Sequence, residues 1–155
     1  HWSYGARSQF ISSRGQQPFI VLAPVQGDKT AETVTELLGE MKGILSDKPI
    51  TEAEFANAQA SLTLSLPGEW ETAAAIQNSL TEMVNFGRPD DYYATQAQRI
   101  RSLTQADLLR AAQRTIHPSA VQWLIVGDRQ QIEPKLRALG LGEIHIVDGD
   151  GKIVK

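Results

Sequence analysis

The period of the apolar positions changes along this chain, from two at its start to three and four beyond, and the change predicts a strand pair followed by a run of helices. From Tyr4 the residues alternate. Tyr4, Ala6, Ser8, Phe10 and Ser12 share one face, and Gly5, Arg7, Gln9 and Ile11 the other, which predicts a half-buried strand. Arg14-Gly15-Gln16-Gln17 supplies a short polar turn with a glycine. The return segment from Pro18 to Val25 is apolar at Phe19, Val21, Ala23 and Val25, and equally at Ile20, Leu22 and Pro24. A strand apolar on both faces is expected to be central and covered on both sides. The outer strand, which carries the polar groups, is then the first place to look for a functional surface.

Beyond Asp28, a candidate helix cap, Ala31, Val34, Leu37, Leu38, Met41, Ile44 and Leu45 form one apolar stripe that ends at Ser46-Asp47-Lys48-Pro49. Thr51 with Glu54 has the capping-box pattern, and Phe55, Ala58, Leu62 and Leu66 continue the stripe until Pro67-Gly68 breaks it. A third helix from Glu71 or Thr72 places Ala73, Ile76, Leu80, Met83 and Val84 on one face and stops at Gly87. A fourth starts at Pro89 with Asp90 and Asp91 at its positive end, and buries Tyr93, Ala97, Ile100 and Leu103. Thr104 and Asp107 cap a fifth helix that runs to about Ile116, where His117-Pro118 stops it. Val121 to Val126 predicts a second central strand, and Ile132, Leu136 and Leu139 mark a last helix. Ile144–Val147 and Ile153-Val154 are strand arms around the turn Asp148-Gly149-Asp150-Gly151. Clustered strands and an intervening run of helices predict an α+β fold, an antiparallel or mixed sheet with helices packed on one face, in a single domain over residues 1–155.

Composition narrows the function by exclusion. A formal net charge of −3 offers no basic field for nucleic acid. No apolar run approaches the roughly 18 residues that a membrane helix needs. With no cysteine, thiol catalysis, disulfides and cysteine-ligated zinc are excluded. The chain opens on His-Trp-Ser-Tyr without a methionine or leader, so a mature or cut piece of a longer product is expected.

Individual motifs are sparse. His1, His117 and His145 lack the spacing of a zinc site, and neither H-E-x-x-H nor H-x-x-E-H occurs. His117 is expected to serve a helix end, and His145 sits near Asp148 in a strand and turn. The Asp148–Gly151 stretch reads as a hairpin turn rather than a calcium loop, because the glutamate that closes an EF-hand is missing. There is no phosphate loop and no G-x-S-x-G. Asp90-Asp91, Glu69 and Glu71 have a sufficient reason at helix starts, and Trp2, Trp70 and Trp123 as packing residues.

Five stretches in order carry a resemblance. They are Ser3-Tyr4-Gly5-Ala6-Arg7-Ser8, Pro24-Val25-Gln26-x-Asp28-Lys29-Thr30, Leu64-Ser65-Leu66-Pro67-Gly68-x-x-Glu71-Thr72, Phe86-Gly87-x-Pro89-Asp90-Asp91-Tyr92-Tyr93 and Val126-Gly127-Asp128. From Trp2 to about Leu139 the chain resembles the C-terminal half-domain of the pitrilysin, insulinase and mitochondrial processing peptidase family, the inverted zinc peptidases. Members of that family pair homologous α+β half-domains around a chamber. One half carries H-x-x-E-H and the zinc, and the other contributes an arginine and a tyrosine that hold the substrate carbonyl.

The resemblance puts that tyrosine on Tyr4 and the arginine about seven residues earlier, off the start of this chain. Trp2 stands where many relatives have another tyrosine. It further implies that this chain is the back portion of a non-catalytic half. Such a piece carries no cofactor of its own, is inactive alone, and works with a zinc-binding half-domain or partner subunit and a peptide substrate. Two other readings stay open: a structural subunit of the same fold without peptidase activity, and a peptide-binding scaffold that adds a strand at a sheet edge. An exposed sheet edge also leads us to expect self-association.

Overall fold

The opening alternation forms a hairpin. In the computed structural model, which describes residues 2–154, β1 (Arg7–Phe10) and β2 (Phe19–Leu22) pair antiparallel, with Arg7 opposite Leu22 and Phe10 opposite Phe19. Ile11 N–H donates to the Pro18 carbonyl (3.0 Å), so the polar loop runs over residues 12–17, two longer than the turn the sequence predicts. Opposite residues share a face of the sheet. Phe10 and Phe19, with ring centroids 5.0 Å apart, and Ser8 with Val21 lie on one face, where only Phe19 and Val21 are half-buried. Ile20 and Leu22 point the other way and remain exposed. The inner strand is therefore not covered on both sides. Its composition reports what it can bury, and among the described residues no third strand pairs with β1 or β2.

Six helices follow: α1 (Thr30–Gly43), α2 (Glu52–Leu64), α3 (Ala73–Phe86), α4 (Tyr92–Ser102), α5 (Gln105–Thr115) and α6 (Arg129–Ala138). With the strand pair they make the fold α+β. The start of α1 differs from expectation. A 3₁₀ turn at Gly27–Lys29 leads into it, and Asp28 caps nothing with its side chain. The predicted Thr51–Glu54 capping box forms, and the predicted cap at Thr104 and Asp107 is a capping box as well. Thr51 Oγ1 accepts from Glu54 N–H while Glu54 returns to Thr51 N–H (2.9 Å), and Thr104 with Asp107 repeats the arrangement. The α3 helix ends in a Schellman turn, with Arg88 N–H on the Met83 carbonyl (2.9 Å) and Gly87 left-handed at φ +61°, the position where glycine avoids a Cβ clash.

Between α1 and α6, Ala31, Val34 and Ile132 form one small core, with Leu66 buried separately at the turn after α2. Lys135 Nζ donates to the Asp28 carbonyl (2.9 Å), and Gln59 Nε2 to the Ile100 carbonyl (2.8 Å) at the end of α4, so polar bonds tie the layers where apolar burial is thin. Val121 to Val126 pairs with no strand among the described residues, and Leu124 is 82% and Val126 90% exposed, so the second predicted central strand does not form there. The C-terminal arms do meet, through Val147 opposite Ile153, and Asp148 Oδ1 closes the turn by accepting from the amides of Asp150 and Lys152. Among the described residues no helix is long and apolar enough to cross a membrane.

The total exposed surface is 11690 Å² for a 17.0 kDa chain. A closed monomer of that mass exposes about 7,700 Å², so roughly a third of this surface is of the kind that folding or assembly normally removes. The chain has apolar faces that it does not itself cover.

One helix is expected to respond to pH. Pro134 lies inside α6 and removes a backbone donor. On the same helix Glu133 is clasped by Arg129 (2.5 Å) and Arg137 (2.6 Å). The Arg129 hydrogen bond, and then that of Arg137, hold the Glu133 carboxyl down at about 2 from an ordinary 4.5. A carboxyl depressed in the folded state contributes stability that is complete above its unfolded pKa and is lost as pH falls through the folded one. The α6 amides are therefore expected to lose protection between pH 4.5 and about 2. Glu133→Gln should remove that step from an NMR pH titration, and an unchanged step in the variant would assign it to another group.

Candidate functional site

The end of the hairpin that holds Tyr4 is built by Ser3. Ser3 bridges to Val25, its Oγ lies 2.6 Å from the Pro24 carbonyl oxygen as donor, and it accepts from Gly5 N–H at 3.0 Å. Gly5 follows at φ +132°, a conformation that side chains other than glycine rarely adopt. This bend breaks the predicted alternation. Tyr4 does not share the face of Ser8 and Phe10 but stands out from the chain, 107% exposed, with no protein partner for its hydroxyl among the described residues. Trp2, one residue before the bend, is anchored by its carbonyl to Gln26 N–H (3.0 Å) and lies under the Lys29 ammonium at 5.4 Å. The phenol is thus held on a tied backbone and is free to donate one hydrogen bond outward. Alone it performs no reaction.

The strand beside it is open as well. All four residues of β1 are exposed, and only one of its edges is paired among the described residues. The outer strand is therefore the polar, accessible one, as its composition predicts.

The histidines do not converge. His117 supplies its carbonyl to Ala120 N–H (2.9 Å) at a 3₁₀ turn and caps nothing with its ring. His145 Nε2 lies 3.8 Å from Glu143 rather than against Asp148, whose carboxylate is occupied by its own turn. His1 lies outside the described residues. Among the described residues no three His, Asp or Glu side chains come together as a metal ligand set.

A second polar constellation escaped the sequence reading. At the α3–α4 junction Glu82 accepts from Arg88 Nη2 (2.7 Å) and from Tyr93 Oη (2.8 Å). Burial first, and then the Glu82 hydrogen bond, raise the Tyr93 phenol above its ordinary value. Trp70 meets Tyr93 edge-on at 5.4 Å and donates from Nε1 to Ser79 Oγ at 3.1 Å. The guanidiniums of Arg88 (4.2 Å) and Arg99 (4.3 Å) both lie over the Tyr92 ring. Every charged member is already engaged, so the cluster is a clamp rather than a reactive centre: it fixes the turn from Phe86 to Tyr93. The signal was present in that Gly87-x-Pro89 must reverse the chain and bring the start of α4 back onto Glu82.

No family model matches this chain, and no curated protein matches it.

Proposed function

We propose that this chain is part of the non-catalytic half of a pitrilysin-like zinc metalloendopeptidase, inactive alone, which helps to close the substrate chamber and holds the substrate carbonyl with Tyr4. The observation that carries this reading is the presentation of Tyr4: a phenol fixed by the Ser3 clamp, fully exposed, with an unoccupied donor beside an open strand. A donor of this kind stabilises the oxygen on which negative charge develops when a peptide carbonyl is attacked. The uncovered apolar faces fit the same reading, because a chamber wall needs a second body against it. The zinc, its ligands and the attacking water belong to the partner half in this proposal.

Isolated, the chain is expected to hold no stoichiometric zinc and to cleave no peptide, since a catalytic zinc needs about three protein ligands and an open position. Elemental analysis after chelation and re-dialysis tests this, and one tight zinc per chain would contradict it.

A second reading, a peptide-binding scaffold, is favoured by the free edge of β1, on which an extended segment could add as a strand. The two readings part on Tyr4. A scaffold uses the backbone of Arg7–Phe10 and is indifferent to the phenol.

A further inference from the structure

Along α3, two rows of side chains run side by side at four-residue steps. Ile76, Leu80 and Val84 make the first and are 46%, 57% and 77% exposed. Gln77, Thr81 and Asn85 make the second, each one position further along the helix. Both rows line one shallow groove, to which no carboxylate contributes. The side-chain amides of Gln77 and Asn85 bond to nothing among the described residues. Thr81 Oγ1 donates to the Gln77 carbonyl (2.8 Å) and keeps its lone pairs free.

At Val84 and Asn85, which line both, the groove opens into a polar cleft of about 590 Å³ against the hairpin loop. Arg14 and Arg88 line this cleft, and again no carboxylate does. Arg88 is neutralised by Glu82. Arg14 is not. Its Nε donates to the Asn85 carbonyl (2.5 Å) at the negative end of α3, and among the described residues its two terminal nitrogens have no partner.

This chemistry selects the occupant. An extended peptide alternates side chains with polar backbone groups, and so matches an apolar row beside a row of amides and a hydroxyl. A lipid chain would take water from the second row without replacing its hydrogen bonds. The spacings agree as well. Helix steps of four set the apolar groups about 6 Å apart, and alternate residues of an extended chain lie about 6.6 Å apart. Three alternate side chains of a pentapeptide therefore span Ile76 to Val84 within about 1 Å. The uncompensated cation stands at one end of the groove only. Its free terminal nitrogens form the fork that receives a carboxylate through two charge-assisted bonds.

We propose that groove and cleft bind the carboxyl-terminal end of an extended peptide with apolar residues at alternate positions. The terminal carboxylate sits on Arg14, and the alternate side chains sit on Val84, Leu80 and Ile76. The inference does not depend on the peptidase reading and uses no residue of the Tyr4 site.

Fluorescence anisotropy tests it with the peptide Leu-Ser-Leu-Ser-Leu, labelled at its amino terminus and presented as the free acid and as the carboxyl amide. The acid is expected to bind saturably, and the amide about tenfold more weakly or worse. Arg14→Gln should cost the acid a similar factor and leave the amide unchanged, so that the two become equal. Leu80→Glu should weaken both. Arg14 and Leu80 are exposed, so each variant should keep the wild-type circular dichroism. No saturable binding, or equal binding of acid and amide to the wild-type chain, overturns the proposal. Competition by decanoate as strong as by unlabelled peptide would assign the groove to a lipid chain and overturn it. So would a dimer in sedimentation velocity that Leu80→Glu dissolves, which would assign the groove to a second copy. If Leu-Ser-Leu-Ser-Glu amide binds as tightly as the acid, the carboxylate belongs to a side chain and the terminal assignment falls.

Discussion

If the proposed function holds, Tyr4→Phe made in the complete protein is expected to lower kcat by about 10²–10³ while folding stability and zinc content stay at wild-type values. The change keeps the ring and removes only the hydroxyl. Since that hydroxyl has no protein partner among the described residues, its loss leaves no group of this chain unsatisfied. The donor matters only when an oxyanion forms in front of it, so the loss should fall on kcat more than on KM. Ser3→Ala is the companion change. It removes the acceptor for Gly5 N–H and the bond to the Pro24 carbonyl, loosens the backbone on which Tyr4 stands, and should lower kcat by a smaller factor. Wild-type turnover in Tyr4→Phe would remove Tyr4 from the site.

Ile132→Ala is expected to destabilise the chain by about 2–4 kcal/mol, a large share of the ~5–15 kcal/mol of an ordinary domain. Ile132 is one of four buried apolar residues among those described and is the buried residue of α6, which packs on α1. With so small a core there is little neighbouring side-chain volume to refill the cavity. Leu124→Ala removes a side chain of similar size at an 82% exposed position and should change stability by no more than about 0.5 kcal/mol. Denaturant midpoints of the two variants test the distribution of burial. Equal losses would mean that Val121–Val126 is covered in solution and that the core extends beyond Ala31, Val34, Leu66 and Ile132.

The α+β class was legible in the sequence because period and caps are local properties. Thr51 with Glu54 and Thr104 with Asp107 specify helix starts from four residues each, and both boxes form. Gly87 and Pro67-Gly68 mark real helix ends for equally local reasons. What the sequence could not convey is which apolar faces find a partner. Ile20, Leu22, Leu80, Leu124 and Val126 all carry a burial pattern and all stand exposed, because covering them needs surfaces that these described residues do not supply. Tyr4 was legible as a residue but not in its geometry. Simple alternation put it in the strand, and the Ser3 hydroxyl with the positive φ of Gly5 turns it out. The Glu82 clamp was hidden for another reason. Its members are six and eleven residues apart, and only the reversal at Gly87 brings them together.

Peptide hydrolysis measured with and without a zinc-binding half tests the proposal that this chain completes a zinc peptidase without carrying its metal. Turnover is expected from the combined halves and from neither alone, with one zinc recovered from the H-x-x-E-H-bearing partner. Hydrolysis by this chain alone with added zinc, or full turnover by the partner without this chain, would contradict the account.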